Sequence, residues 1–318
     1  INDYEIIDEL GRGTHGKVKL GRSLTTGDFV AIKIVERFPK KRRLGRLGNA
    51  EDKVKREVAI LKKARHPHIV ALLEVIDDPA RRKVYIVLER VDMGEIPWRQ
   101  SGPKEIFDIH PDLMYVPCMT MQAARESFRD TLLGLQYLHY QNIIHRDIKP
   151  PNLLQTRDYR TKISDFGVSY LGRPIEDADA EESETDHDYD EAKELAKNVG
   201  TAAFYAPELC ITDTEEHPPI GKAIDVWALG VTLFCMIFAR VPFVDNEWIV
   251  MRRIAEEEVY IPNKRLRPVD HKPQNGFMLE YEPVPDDLID LLKLLLTKDA
   301  RKRISLEGVR HHPWVTRD

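Results

Sequence analysis

His145-Arg146-Asp147-Ile148-Lys149-Pro150-Pro151-Asn152, with Asp165-Phe166-Gly167 behind it, is the stretch that decides how this chain reads. Asp147 is a carboxylate able to orient a hydroxyl group and accept its proton. Asn152 offers an amide oxygen and Asp165 a second carboxylate. Hard oxygen donors of this kind suit Mg²⁺, which binds through one or two carboxylates plus nucleotide phosphates. A base and two metal ligands so close together are what phosphoryl transfer needs. His-Arg-Asp alone would fit a structural loop equally well; the full eight-residue string with Asp165-Phe166-Gly167 is specific.

Five further features follow the same logic in order along the chain. Gly11-Arg12-Gly13-Thr14-His15-Gly16-Lys17-Val18 reads as a glycine-rich loop and Val30-Ala31-Ile32-Lys33 as a strand ending in a lysine. Glu57 sits in the helical run Val54 to Leu61. Ala206-Pro207-Glu208 closes a segment, and Asp225-Val226-Trp227-Ala228-Leu229-Gly230 opens an apolar helix. With these features in this order, the chain resembles a eukaryotic serine/threonine protein kinase domain from end to end. Within that family it is most similar to calmodulin-dependent protein kinase kinases and their fungal relatives. That likeness is carried by Asp165-Phe166-Gly167-Val168-Ser169, Asn198-Val199-Gly200-Thr201, Gly230 to Cys235, Leu138 to Ile144 and the ending His312-Pro313-Trp314-Val315-Thr316-Arg317.

The resemblance implies an α+β bilobal fold. Residues 1–88 would form a small antiparallel-sheet lobe with one main helix, and residues 89–318 a large, mainly helical lobe including the hinge. It implies ATP and Mg²⁺. Leu10, Gly11, Gly13, Gly16, Val18, Ala31, Leu88 and Leu154 would surround the nucleotide, and adenine would bond to the backbone of Glu89 and Val91. Lys33 would meet the α- and β-phosphates, held by Glu57. Asp147 would be the catalytic base, with Lys149 on the γ-phosphate. Lys149, two residues after Asp147, points to serine/threonine specificity. Asn152 and Asp165 would hold the metal. His145 would stack with Phe166, Leu61 and Leu72, Asp225 would bond the catalytic-loop backbone, Glu208 would pair with Arg303, and Thr201 would bond Asp147 and Lys149.

The glycine motif alone also fits a tight hairpin turn. A dinucleotide-binding glycine turn leads from strand to helix. Here the glycines lead into a second strand and then the turn Thr25-Thr26-Gly27-Asp28, which favours a flap over phosphates. Strands are expected at Tyr4 to Leu10, Lys17 to Leu20, Phe29 to Val35 and Val84 to Leu88. Helices are expected from about Ala50 to Ala64 and from Thr120 to His139, with Thr120 as N-cap. Leu288 to Leu296 reads as core. Residues 92–118 and 263–283 read as expanded segments, the first an irregular insert.

Composition excludes several classes. With 42% hydrophobic and 32% charged residues, the chain reads as an ordinary globular protein. No apolar run is long enough to span a membrane, and neither a membrane nor a nucleic-acid partner is expected. Cys118, Cys210 and Cys235 lack metal or disulfide spacing, which fits a reducing cytoplasm or nucleus; Cys235 reads as a small buried residue. The chain starts at Ile1 without an initiator Met and reads as an excised domain. In the resembled family a calmodulin-binding segment follows the kinase domain, so calmodulin would be reached through residues after Asp318.

Charge is unevenly spread. Residues 176–194 hold eleven acidic side chains and one lysine, net −10, so the remainder carries +5 against the overall −5. Residues 37–49 are basic, which fits either a solvated loop or a docking patch; in the resembled subfamily an insert at this point engages substrate. Protein substrates, other kinases among them, are the expected partners. Basophilic kinases carry an acidic residue where this chain has Cys235, which argues against a demand for arginine near the target. Glu95 is an alternative acidic position past the hinge.

The stretch Glu191 to Val199 contains no Ser, Thr or Tyr. A phosphorylated loop residue commonly orders the segment by pairing with arginine, and Arg146 is the arginine that would need it. Two outcomes are open. Either an acidic side chain such as Glu191 or Glu194 takes the phosphate's place, or Arg146 is solvated. Two other functional classes remain beside the kinase reading. A pseudokinase scaffold would lose residues of the Lys33, Asp147 or Asp165 type, and this chain keeps all of them. A small-molecule phosphotransferase would lack the Ala206-Pro207-Glu208 segment and the Asp225 helix.

Overall fold

Alternating apolar residues build the first layer, since side chains in a strand point to opposite faces at period two. In the computed structural model, which describes residues 1–13, 16–37, 50–102, 114–172, 194–211, 220–268 and 280–317, five strands form one antiparallel sheet. These are β1 (Tyr4–Gly13), β2 (Gly16–Ser23), β3 (Phe29–Glu36), β4 (Leu72–Asp77) and β5 (Lys83–Glu89), in the order β1-β2-β3-β5-β4. The glycines join β1 to β2 as a hairpin in which Gly13 pairs with Gly16. They do not lead into a helix, so the dinucleotide-turn topology is absent. On β3, Val30 and Ile32 pack with Val87 in a small cluster, which leaves Ala31 and Lys33 facing the opposite side.

One helix, α1 (Ala50–Lys63), packs beside this sheet. Acidic Glu51 and Asp52 sit in its first turn and Lys62 and Lys63 in its last, matching the helix dipole. Its buried face carries Val54, Glu57, Ile60 and Leu61, the spacing of an amphipathic helix. Glu57 is thus a charge on an otherwise apolar face, and a buried charge needs a partner.

The remaining chain is mainly helical. Its elements are β6 (Arg99–Ser101), β7 (Tyr115–Pro117), α2 (Met121–Tyr140), β8 (Ile143–Ile144), β9 (Leu153–Gln155), β10 (Thr161–Ile163), β11 (Tyr170–Leu171), α3 (Pro207–Cys210), α4 (Ala223–Phe238), α5 (Glu247–Glu256), β12 (Lys264–Leu266), β13 (Tyr281–Pro283), α6 (Asp286–Leu295), α7 (Leu306–Arg310) and α8 (Pro313–Thr316). Thr120 caps α2, its side chain accepting from the Ala123 amide at 3.1 Å. Helix α4 is buried from Ile224 to Ile237, as a helix apolar all round must be. Helix α6 buries Leu288, Leu291, Leu292 and Leu295, each worth about 1.5–3 kcal/mol on removal from water.

The expectation of an irregular insert over 92–118 needs correction. Strands β6 and β7 pair in this segment. Trp98 is buried beside them, donating from Nε1 to Glu95 Oε1 at 2.8 Å. The Arg99 guanidinium lies over the rings of Trp98, at 4.1 Å, and Tyr115, at 3.8 Å. Three-residue strands are too short to show a period in sequence. The segment 263–283 likewise contains a pair, β12 with β13. There, buried Arg265 bonds Glu282 at 2.6 Å and the Met119 carbonyl at 3.0 Å.

Several expectations fall outside the described residues: Thr14 and His15 of the glycine loop, the basic run 38–49, residues 103–113 and 269–279, and the acidic stretch 176–193 with Glu191. Among the described residues no helix is long and apolar enough to cross a membrane.

Candidate active site

Two short strand pairs bring the decisive loops together. Strand β8 pairs with β11 and β9 with β10. The loop between β8 and β9 carries Asp147, Lys149 and Asn152; the loop between β10 and β11 carries Asp165. Ser164 ties the two loops. Its amide and hydroxyl both donate to the Asn152 carbonyl, at 2.8 and 3.0 Å, and its carbonyl lies 3.0 Å from His145 Nε2.

Asp147 lies at the centre of a hydrogen-bonded group and is 8% exposed. Its Oδ2 accepts from Asn152 Nδ2 and pairs with Lys149 Nζ, both at 2.9 Å. Asn152 Nδ2 also donates to the Asp147 carbonyl at 2.8 Å. Lys149 donates to the Thr201 hydroxyl at 2.6 Å, and that hydroxyl donates to Asp147 Oδ1 at 3.3 Å. Gly200 permits this closeness. Its φ is +97°, and a Cβ there would lie 2.7 Å from the Arg146 carbonyl and 3.0 Å from Asp147 Oδ1, a position L side chains rarely tolerate.

A second group forms around Lys33, which is buried. Its ammonium meets Glu57 Oε1 at 2.5 Å and Asp165 Oδ1 at 3.0 Å. Burial alone would lower the lysine's pKa; the charges of Glu57 and Asp165 outweigh it and hold the ammonium above the ordinary lysine range. The Gly167 amide donates to the same Asp165 oxygen at 3.2 Å. Behind Asp165, the Phe166 ring meets His145 edge-on at 5.2 Å between centroids, in the core cluster that holds Leu61 and against which Leu72 packs.

Asp225, fully buried in the first turn of α4, anchors the loop between β8 and β9. It accepts from the His145 amide at 2.8 Å, the Arg146 amide at 2.9 Å and His139 Nε2 at 2.9 Å. Burial pushes its carboxyl up, but these hydrogen bonds and the histidine charges keep it below the ordinary carboxylate range. The loop needs such anchoring, because Arg146 and Asp165 adopt φ of +66° and +61°, strained values for residues other than glycine. Glu208 and Arg303 pair through two bonds of 2.8 and 2.9 Å, with both side chains buried.

The other residues expected around a nucleotide line the sheet and the hinge. Leu10, Gly11 and Gly13 lie on β1; Gly16 and Val18 on β2, where Val18 pairs with Lys33. Ala31 pairs with Leu88 across β3 and β5. The Glu89 carboxylate turns to Lys162 and the Ala71 amide, both at 2.7 Å, so its side chain is occupied. The Val91 carbonyl accepts from Gly94 at 3.3 Å, and Leu154 bridges Glu95. Cys235 exposes none of its surface, the small buried residue that its apolar surroundings implied.

Asn152 and Asp165 supply an amide and a carboxylate oxygen. Among the described residues no group of three or more His, Cys, Asp or Glu forms a metal cage. So lean a protein donor set fits Mg²⁺ completed by phosphate oxygens rather than an all-protein site.

Sequence reasoning missed Arg56. It precedes Glu57 on α1 and reaches Glu194 at 3.2 Å. Its only sequence signal is that adjacency, on a helix already rich in basic residues.

Comparison with known proteins agrees with this geometry. The protein kinase domain family matches residues 4–315. Serine/threonine-protein kinase ssp1 of Schizosaccharomyces pombe is 48% identical over 99% of this chain and 43% of its own length. SNF1-activating kinase 1 of Saccharomyces cerevisiae is 41% identical over 100% of this chain and 28% of its own. A calcium/calmodulin-dependent protein kinase kinase of Caenorhabditis elegans is 34% identical over 100% of this chain and 53% of its own. The chain thus spans about half or less of the length of these relatives. Bilobal, with its carboxylates, amide and lysines gathered where the two lobes meet, the chain belongs to the protein kinase domain family, ATP-dependent phosphotransferases, and its relatives there are serine/threonine kinases.

Proposed function

We propose that this domain transfers the γ-phosphoryl group of ATP to threonine in the activation loops of other kinases, of the calmodulin-dependent or AMP-activated type. The observation that carries the catalytic half is the simultaneous contact of Lys33 with Glu57 and Asp165. It fixes a cation beside Asp165, the carboxylate read here as a metal ligand. The substrate half rests on two relatives' names: the calcium/calmodulin-dependent protein kinase kinase, whose name declares a kinase as target, and SNF1-activating kinase 1, whose name declares that it activates another protein.

In this reading Asp147 orients the substrate hydroxyl and takes its proton as the new oxygen–phosphorus bond forms and the bond to ADP breaks. Lys149 neutralises the transferring group as a point charge. Lys33 holds the α- and β-phosphates, with Glu57 fixing its direction. Asn152 and Asp165 would hold Mg²⁺, which supplies charge neutralisation at the phosphates when bound. Leu10, Val18, Ala31, Leu88 and Leu154 enclose the adenine, the backbone of Glu89 and Val91 reads its edge, and Gly11, Gly13 and Gly16 cover the phosphates. The lobes divide at about residue 88. Regulation by calmodulin rests on the likeness to a calcium/calmodulin-dependent protein kinase kinase alone.

Phosphosite mapping tests the substrate class. Incubation with a panel of kinase domains and an arginine-rich peptide array should give activation-loop threonine as the dominant product. Preference for arginine-directed peptides would overturn it.

A further inference from the structure

We infer that Glu194 is a built-in substitute for a loop phosphate, a positioning residue that joins the catalytic loop to α1. The inference rests on the kinase reading of the site and adds how that site is kept assembled.

One carboxylate collects cations from three parts of the fold. Glu194 Oε1 accepts from Arg146 of the catalytic loop at 3.3 Å and from Arg56 of α1 at 3.2 Å. Its other oxygen pairs with Lys197 of its own segment. The Glu194 backbone carbonyl accepts from Arg146 as well, at 2.9 Å. The Arg146 side chain is only 5% exposed, and its Nε donates to the Val168 carbonyl at 2.6 Å. A guanidinium so placed requires an anion, and Glu194 supplies it. Arg146 is therefore not solvated.

The stretch around Glu194 offers no side chain that could carry a phosphate instead. From Glu191 to Val199 there is no hydroxyl side chain. Thr201, the next one, already bonds Lys149 and Asp147. The Glu194 carboxylate also remains charged: burial opposes its ionisation, but Lys197, Arg146 and Arg56 keep its carboxyl below the ordinary range.

The geometry then gives the clamp a consequence at the phosphate site. Arg56 is followed directly by Glu57, the partner of Lys33. Holding Arg56 from the activation segment holds α1 in the register at which Glu57 reaches Lys33. A phosphorylated residue would carry more charge, about −1.5 to −2, but would be removable. A glutamate gives permanent order, and control of such a domain must act elsewhere.

The test compares Glu194→Gln, which is isosteric and neutral, with Glu194→Asp, which keeps the charge, in the 318-residue chain. Phosphatase-treated wild type, shown free of phosphate by intact mass, should keep its activity within about 2-fold. Glu194→Gln should lose kcat/KM by about 10- to 100-fold, the usual range for coupling between two sites, and Glu194→Asp should recover part of it. Amide exchange in residues 54–61 should quicken in Glu194→Gln. Loss of wild-type activity on phosphatase treatment, or a Glu194→Gln variant within about 2-fold of wild type, would overturn the inference. Wild type inactive in every state would instead remove the kinase reading, and unchanged exchange in residues 54–61 would then remove the clamp as well.

Discussion

Lys33 and Glu57 are 24 positions apart in the chain and 2.5 Å apart in the fold. Both are buried. A buried ion pair adds little net stability, because desolvation offsets the attraction, yet breaking one by removing a single partner costs about 3–5 kcal/mol. Its value is geometric: it sets the direction in which the lysine points.

That asymmetry predicts a double-variant result. Lys33→Met should destabilise the domain, since it leaves Glu57 buried without its main partner. The double variant Lys33→Met/Glu57→Leu should regain part of the loss while remaining inactive. Chemical denaturation of the four species measures the coupling. Strict additivity would show that the pair is not held as described.

Gly200 offers a test of close approach. Alanine at this position must accept a φ of +97° and a Cβ 2.7 Å from the Arg146 carbonyl. Gly200→Ala should lower kcat by 10-fold or more, by displacing the catalytic loop, with a stability cost of about 1–3 kcal/mol. Steady-state kinetics with a melting curve checks both; unchanged kcat would contradict the contact.

Asp225 predicts an acid limb. Its folded-state carboxyl is depressed below the ordinary value, so on acidification the unfolded chain takes up this proton first. Its contribution is therefore present above the unfolded carboxylate pKa of about 3.9 and is lost as pH falls through the lower folded value. Asp225→Asn should be less stable than wild type by about 1–3 kcal/mol near neutrality. The gap should stay flat above about pH 5 and narrow below about pH 4. A gap that widens on acidification would reverse the assignment.

The thiols give a quick structural check. Burial raises the Cys118 thiol, lifts Cys210 to about 12 and raises Cys235 further, where no surface is exposed. At pH 7 the Cys210 thiolate fraction is then on the order of 10⁻⁵. Native protein should alkylate slowly throughout, and Cys235 only on unfolding. Labelling of Cys235 in the folded state, read by mass spectrometry, would contradict the packing around α4.

Much of this was legible before the fold was known, for identifiable reasons. Strand β3 announces itself by β-branched residues at period two, and α1 by an apolar stripe. The contacts of Asp225, Thr201 and Arg303 follow from family resemblance, and all are present. The hairpin of β6 and β7 was not legible, because three-residue strands separated by a long segment leave no periodic trace. Arg56 was hidden for a different reason: an arginine on an amphipathic helix looks like a solvated charge, and only the fold brings Glu194 to it. Cys235 was legible as a small buried residue because it sits in an apolar run, and on α4 none of its surface is exposed.

In the proposed function Asp147 serves as the base in phosphoryl transfer from ATP. Transfer of labelled γ-phosphate to a kinase-domain substrate by wild type and Asp147→Asn measures it most directly. Asparagine keeps the size and one acceptor oxygen but cannot take the proton. The account predicts a loss of turnover of about 10²–10³-fold or more, with folding intact by melting temperature. Turnover of Asp147→Asn within a few-fold of wild type would contradict it.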